Sequence, residues 1–146
     1  MSSESGKDGA TVQETGVGGL QMEISTRGVG FLADEPVENG GLGSGPTPYD
    51  LLCAALGACT AMTLRLYAQR KGWPLGNVRV LVRHVRPIAT SEDRFMRELE
   101  LSGELTDEQR ARLMDVARRC PVHLTLEHGS HIETIEVPVR PPRTAT

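Results

Sequence analysis

The longest run of apolar and small residues in the chain predicts one long helix. Residues 51–62 hold no charged side chain, and most of them are alanine, leucine, glycine or cysteine. The sequence Thr-Pro-Tyr-Asp at 47–50 is a capping box with proline at the first helical position, and Gly72 is typical of a helix end. These signals predict a helix over 48–71. Because a helix that is apolar all round is a buried one, we expect it to be covered on several sides, with a second subunit as one candidate cover.

Alternating apolar and polar positions predict strands on both sides of this helix. Three short strands precede it as an antiparallel meander, two follow it as a β-hairpin, and one more lies near the end of the chain. Their predicted bounds are 10–15, 20–26, 28–33, 77–86, 94–102 and 131–139.

Two shorter helices are predicted between the hairpin and the last strand. The sequence Thr-Asp-Glu-Gln at 106–109 is a second capping box, which begins a helix over 107–119. Pro121 cannot continue a regular helix, so we expect a separate short one over 121–127. The order of elements, β-β-β-α-β-β-α-α-β, is typical of an α+β fold.

The length of the chain, 146 residues, is that of one domain. Residues 1–9 are polar and without periodicity, so they are predicted to be a disordered tail. The domain then covers 10–139, and the proline-containing residues 140–146 form a carboxyl-terminal tail.

Composition and charge exclude several classes of partner. Aromatic residues are only 3% of the chain, and the net charge is −3 without a basic block, so we expect no nucleic acid partner. No run of about 18 consecutive apolar residues and no charged leader is present, so we expect neither a membrane span nor a signal peptide. The expected location is the cytoplasm.

Three cysteines are the first candidates for chemistry. Cys53 and Cys59 lie six residues apart on the predicted long helix, which separates them by about 9 Å along its axis. The Cα atoms of a disulfide usually lie within about 7 Å, so any disulfide within one chain must use Cys120. Cys53, between a leucine and an alanine, is interpreted as a core packing residue.

The surroundings of Cys120 favour a thiolate more than those of Cys59 do. Cys120 lies at the predicted start of the short helix, near Arg119 and one turn before His123. Cys59 lies in the middle of a helix and has no such support from its own segment. The residues alone therefore leave open which cysteine reacts first.

A metal site is the competing interpretation of this segment. The spacing of Cys120 and His123 is a permitted one for zinc, and His128 and His131 follow. The sequence has no Cys-x-x-Cys pair to complete the set of four zinc ligands, however, so we predict no bound metal. His128 and His131 are interpreted as surface residues, and a packing role for His123 is favoured over general-base catalysis.

Three motifs resemble those of one known family. They are Gly-Gly-x-x-x-Gly-Pro-Thr-Pro-Tyr-Asp-Leu-Leu-x-Ala-Ala-Leu-Gly-Ala-Cys-Thr at 40–60, Arg-Lys-Gly-Trp-Pro-Leu at 70–75 and Cys-Pro-Val-His-x-Thr-Leu-Glu at 120–127. Together they resemble the OsmC-like family, which includes osmotically inducible proteins and organic hydroperoxide resistance proteins. The resemblance covers roughly residues 10–139.

The resemblance implies a fold, an assembly and an activity. It implies antiparallel sheets wrapped around long central helices in an intertwined homodimer. It places the peroxidatic cysteine of the family on Cys59 and the resolving cysteine on Cys120. The implied activity is reduction of organic hydroperoxides, with hydrogen peroxide as a further candidate substrate. A lipoyl-type dithiol or another thiol would act as reductant, and no metal, haem or other cofactor is implied.

The residues that activate the thiolate in the family have no direct match in this chain. Hydroperoxide reductases of the family have a glutamate ten residues before the first cysteine, paired with an arginine from an amino-terminal hairpin turn. Here Tyr49 occupies that position, and the predicted turn at 16–19 holds no arginine. Asp50 is the candidate substitute for the acid. The candidate sources of the positive charge are Arg27, Arg65 and Arg119.

Two hypotheses follow for the function. The first is a thiol-dependent peroxidase that uses Cys59 and Cys120. The second is a small-molecule binding or redox-sensing module without efficient peroxidase turnover, in which a cavity near Cys59 holds a ligand.

Overall fold

The computed structural model describes residues 8–86, 88 and 92–139, and within them the fold is α+β, as predicted. The strands are β1 (Thr11–Glu14), β2 (Met22–Thr26), β3 (Val29–Ala33), β4 (Val78–Val85) and β5 (Arg94–Leu101). The helices are α1 (Pro48–Lys71), α2 (Asp107–Ala117) and α3 (Pro121–His128), and a single 3-10 turn covers Val37–Asn39. The predicted tails, except for residues 8 and 9, and part of the predicted turn at 87–93 lie outside the described residues.

The strands form two antiparallel sheets. The first is the predicted meander in the order β1-β2-β3, and the second is the predicted hairpin of β4 and β5. In the hairpin Val80 lies opposite Leu99, and Val82 lies opposite Arg97. Because side chains alternate across a strand, these four residues point to the same face of the sheet, the face that α1 covers.

The prediction of a last strand at 131–139 is wrong for this chain. The segment has no strand assignment and is exposed along its whole length, with Ile135 83% and Val139 98% exposed. A strand is stabilised by a neighbouring strand that pairs with its backbone groups. None of the described strands lies beside this segment, so its alternating pattern produces no sheet here.

The core lies where α1 and α2 pack against the hairpin sheet. Its buried residues are Leu64, Ala68, Leu75, Leu113, Val116 and Ala117. Of these, Leu113, Val116 and Ala117 lie on α2. The long helix differs from its prediction, because only Leu56, Thr60, Leu64 and Ala68 are buried on it. These positions are four residues apart and form one narrow stripe, whereas other apolar residues of α1 remain exposed in the single chain.

Local signals explain where α1 begins and ends. Thr47 and Asp50 form the predicted capping box, and Gly72 ends the helix in the left-handed conformation with φ of 70°. By length and composition alone, α1 could also cross a membrane. The core helix of a soluble protein satisfies the same criterion, so this property by itself decides nothing.

A tight loop fixes the approach of the chain to α1. The buried Asp34 carboxylate accepts hydrogen bonds from the backbone N–H groups of Glu35, Leu42 and Ser44 and from the Ser44 hydroxyl. Gly41 has no room for a side chain, because an added Cβ would lie 1.9 Å from the Glu35 carbonyl oxygen. The loop is therefore specified by one carboxylate and by close backbone contacts.

Candidate functional site

The fold brings two of the three cysteines together. Cys59 lies in the middle of α1, and Cys120 is the N-cap residue of α3, as its sequence position predicts. Two successive N–H groups of α3 point to different sulfurs. Val122 donates to Cys59 Sγ at 3.5 Å, and His123 donates to Cys120 Sγ at 3.4 Å. The start of α3 thus holds both thiols, and all three cysteines of the chain are free.

The thiol of Cys59 is not activated within the single chain. Its pKa is raised above the ordinary cysteine value, chiefly because burial disfavours the charged thiolate. The Val122 N–H acts in the opposite direction, and the adjacent Cys120 thiol raises the pKa further. This last effect comes from a hydrogen bond between the two thiols and from the charge of Cys120.

Thr60 connects the two thiols to a charged side chain. It is fully buried, and its hydroxyl donates to the Leu56 carbonyl oxygen at 2.7 Å. A hydroxyl has one proton to donate, so its other contacts must be with donors. One of these is Arg97 Nη1 at 3.0 Å, and the other is Cys120 Sγ at 3.7 Å. The Cys120 thiol therefore donates its proton towards Thr60 Oγ1.

Arg97 is connected to this pair of thiols through Thr60 and His123, and it is not among the predicted site residues. Besides Thr60, its guanidinium contacts His123 Nδ1 at 3.0 Å. A guanidinium can only donate, so His123 Nδ1 must be the acceptor and Nε2 must carry the ring proton. That Nε2 lies 3.4 Å from a Glu127 carboxylate oxygen.

A signal for Arg97 exists in the sequence. Along β5 the half-buried positions are Phe95, Arg97, Leu99 and Leu101, and the residues between them are exposed. An arginine in phase with the apolar residues of an amphipathic strand is unusual, because a charge on the buried face needs partners. A search of the strand for apolar positions alone does not identify Arg97.

Two of the predicted supporting residues belong to other local structures. Asp50 serves the capping box of α1, where its carboxylate accepts the Thr47 N–H at 2.9 Å. Arg27 lies in the turn between β2 and β3 with φ of 48°, and it forms an exposed ion pair with Asp8 at 3.0 Å.

The other two candidate arginines also have defined surroundings. Arg65 donates to the carbonyl oxygens of residues 75 and 76 and so fastens α1 to the segment before β4. The pKa of Tyr67 is lowered chiefly by a hydrogen bond from Arg112, and Arg119, which is exposed, adds to that effect.

Tyr49, ten residues before Cys59, takes part in a cluster at the end of the hairpin. Its ring stacks on His84 with centroids 4.1 Å apart, and its hydroxyl accepts a bond from Arg86 at 3.3 Å. Asp93 joins His84 Nε2 at 2.7 Å and Arg86 Nε at 2.9 Å, and these bonds lower the pKa of Asp93. The cluster fastens the first turn of α1 to the hairpin.

The third cysteine lies beside this cluster. The pKa of Cys53 is raised, first by burial and then by the charge of Asp50, although the His84 backbone N–H opposes this effect. The position agrees with the packing role that the sequence indicates.

A pocket of 490 Å³ adjoins the thiol site. Apolar residues of β5 and α2 and polar residues of α3 line it, among them Phe95, Arg97, Leu99, Met114, His123 and Glu127. Arg97 and His123 therefore contact the thiol site on one side and the pocket on the other. Among the residues that the structure describes, no group of three or more His, Cys, Asp or Glu side chains could hold a metal ion.

These features define a class of protein: an α+β domain whose long helix carries one thiol against a second thiol at the start of a short helix. The family model described as OsmC-like protein matches residues 41–135. The chain belongs to the OsmC-like family.

Several solved structures share this fold. An OsmC-like protein from Mycoplasma pneumoniae is 21% identical, with a TM-score of 0.66 over 82% of this chain and 85% of that one. An organic hydroperoxide resistance protein OsmC from Legionella pneumophila is 20% identical, with a TM-score of 0.63 over 82% and 88% of the two chains. One from Elizabethkingia anophelis, with thiocyanate bound, is 24% identical, with a TM-score of 0.62 over 81% and 86%. A search of curated proteins finds no significant match.

Proposed function

We propose that this protein is a thiol-dependent peroxidase that reduces organic hydroperoxides, with hydrogen peroxide as a further candidate substrate. One observation carries the proposal: the fold places the sulfurs of Cys59 and Cys120 together at the start of α3, although the residues lie on different helices. The names of the Legionella and Elizabethkingia proteins, which include hydroperoxide resistance, support a role in the response to oxidative stress.

The reaction proceeds in two steps. The Cys59 thiolate attacks one oxygen of the hydroperoxide, so that an S–O bond forms and the O–O bond breaks, and the leaving alkoxide takes up a proton. The Cys120 sulfur then attacks the sulfenic acid of Cys59. An S–S bond forms, the S–O bond breaks, and the departing hydroxide combines with the Cys120 proton as water. A lipoyl-type dithiol or another thiol reduces the disulfide by exchange.

The working unit in this proposal is a cytoplasmic homodimer. The exposed apolar residues of α1 include Leu52, Met62 and Leu66, and the extended segment 131–139 exposes Ile135 and Val137. Large apolar surfaces of this kind mark interfaces. In this dimer a second copy covers the exposed apolar residues of α1 and of segment 131–139.

The test is turnover of cumene hydroperoxide with dihydrolipoamide as reductant. We expect Cys59→Ser to lose turnover and Cys120→Ser to form sulfenic acid without turning over. Cys53→Ser is the matched control, since Cys53 lies on the same helix beside a different cluster, and it should retain turnover. Equal rates for the wild type and Cys59→Ser would end the proposal.

A second candidate is a binding or redox-sensing module of the same family. The 490 Å³ pocket beside Arg97 and His123, together with the raised pKa of Cys59, favours it. Titration of free thiols after one equivalent of peroxide separates the two functions. Loss of two thiols within seconds supports the peroxidase, and three unreacted thiols support the binding module.

A further inference from the structure

We propose that Arg97 is a positioning residue for disulfide formation, which it supports by holding the Cys120 thiol against Cys59 through Thr60 and His123. This inference rests on the proposed function, because it concerns the second of the two redox steps. It assigns a role to a side chain that lies outside both cysteine-bearing helices.

The contacts of Arg97 join the two cysteine segments. Thr60 directly follows Cys59 on α1, and His123 lies one turn after Cys120 on α3. The guanidinium on β5 donates to both, at 3.0 Å each. A planar guanidinium can hold two acceptors in fixed directions at once, which the single ammonium group of lysine does less well.

The Arg97 guanidinium is a half-buried charge, and the hydrogen bonds that it makes are not ion pairs. Arg97 is half-buried between Phe95 and Leu99, and among the residues that the structure describes its hydrogen bonds are with Thr60 Oγ1 and with the unprotonated Nδ1 of His123. A charge with neutral partners on a buried face costs more than an apolar residue of similar size would. The cost is consistent with a role in holding these two acceptors.

The position of Thr60 Oγ1 shows how the arginine acts on the thiol. Thr60 donates its own proton to Leu56, so its oxygen accepts from Arg97 and from the Cys120 thiol. With Arg97 in place, that oxygen has a fixed position, and the Cys120 S–H bond points to it. The Cys120 sulfur also accepts the His123 N–H, so two groups fix its position.

The step that depends on this arrangement is the attack of Cys120 on the Cys59 sulfenic acid. The S–S bond forms, the S–O bond breaks, and the Cys120 proton leaves with the hydroxide as water, so no further reactant is needed. Without Arg97, Thr60 and His123 lose their common donor and the Cys120 sulfur is no longer fixed for attack. Formation of the sulfenic acid itself requires only Cys59 and peroxide.

The experiment separates these two steps in Arg97→Gln. Dimedone labelling and mass spectrometry after a pulse of cumene hydroperoxide measure the sulfenic acid, and the loss of two thiols measures the disulfide. We expect sulfenic acid to form at the wild-type rate and the disulfide to form about tenfold more slowly, the effect of losing hydrogen bonds from a charged donor. Arg97→Lys should restore part of the rate. Arg94→Gln, on the exposed face of the same strand, is the matched control and should behave as the wild type.

A second arm does not depend on peroxide. Diamide oxidises dithiols directly, so its rate of forming the Cys59–Cys120 disulfide tests Arg97 even in a protein without peroxidase activity. If the wild type forms no sulfenic acid with peroxide, the proposed function is wrong. If diamide nevertheless forms the disulfide more slowly in Arg97→Gln than in the wild type, the role of Arg97 is still supported. Unchanged disulfide rates in both arms would overturn the role of Arg97.

Thr60→Val provides the same test without removing the arginine. Valine keeps the volume of threonine and removes the hydroxyl, so this variant is suited to a case in which Arg97→Gln does not fold. We expect slow disulfide formation with normal formation of sulfenic acid. Wild-type disulfide rates in folded Thr60→Val would contradict the proposal.

Discussion

Burial and hydrogen bonding act in opposite directions on the Cys59 thiol. Burial between α1 and α3 disfavours the thiolate, whereas the Val122 N–H favours it, and burial has the larger effect on the pKa. Within the single chain the resting sulfur is therefore a thiol at neutral pH. Any further activation must come from a charge that approaches from outside the described contacts.

The raised pKa of Cys59 predicts how the first step depends on pH. Only the thiolate attacks peroxide, and its fraction rises with pH until the pKa is reached. We expect the rate of sulfenic acid formation to rise about tenfold per unit between about pH 6 and pH 8. The measurement is dimedone trapping in Cys120→Ser at a fixed concentration of cumene hydroperoxide. A rate that is constant over this range would show that the assembled protein lowers the pKa below it.

Individual residues show what the sequence could and could not predict at this scale. Thr47, Asp50 and Thr106 were predictable, because a cap depends on neighbours within three residues. The alternation of β5 indicates that Arg97 is half-buried, but its partners were not predictable, because they lie 37 and 26 residues away and meet it only when the hairpin packs on α1 and α3. The arginine candidates taken from the family pattern were chosen without that packing.

At the scale of elements, the loop before α1 is the part most constrained by backbone geometry. Asp34 and the close contacts of Gly41 and Gly45 hold it, and an added Cβ at Gly45 would lie 2.2 Å from the Leu32 carbonyl oxygen. The loop sets where the helix begins relative to β3. The glycines at these two positions allow the close approach of backbone that the loop requires.

Gly41→Ala should destabilise the protein. The added Cβ would meet a backbone oxygen that cannot move without disturbing the hydrogen bonds of Asp34, so the loop must shift. We expect the free energy of unfolding to fall by about 2 kcal/mol or more, measured by urea denaturation. Gly19→Ala is the control, because a Cβ there meets nothing within 4 Å. Equal stabilities of the two variants would contradict this account of the loop.

The Asp34 carboxylate makes the same loop sensitive to acid. Its pKa is lowered, first by the hydrogen bond from the Ser44 hydroxyl, with backbone N–H groups adding to the effect and burial opposing it. A lowered pKa contributes stability that is present above the unfolded pKa and is lost as the pH falls through the folded one. Thermal unfolding from about pH 7 to about pH 3 should show this loss. Ser44→Ala should reduce it, and an unchanged profile in that variant would exclude the hydroxyl as its main cause.

Predicted element types agree with the structure except at the end of the chain. Helices with their own caps and strands with a nearby partner were predictable from local sequence, since each depends on residues close by. The strand predicted at 131–139 has the right alternation but no neighbour among the described strands. Which strands pair with one another depends on the tertiary structure, and the alternating pattern of a single segment does not predict it.

At the scale of the whole molecule, the exposed apolar residues of α1 and of segment 131–139 predict self-association. Substitution of Ile135 or Val137 by lysine should shift the protein from dimer to monomer, because a charge would have to be buried in the interface. Sedimentation velocity measures the mass. Met96→Lys is the control, since Met96 is exposed on the outer face of β5 among Glu98 and Glu100. A wild type that sediments as a monomer would contradict the prediction.

The two sulfurs at the start of α3 also give the protein a built-in reporter of its redox state. The Val122 N–H donates a hydrogen bond to the Cys59 sulfur, and the His123 N–H donates one to the Cys120 sulfur. Oxidation of either sulfur changes the acceptor of one amide, so hydrogen exchange and the amide chemical shifts of these two neighbours should respond separately. A sulfenic acid at Cys59 should move the Val122 signal first, and the disulfide should move both. The order of the two steps can thus be followed without a label or a substitution.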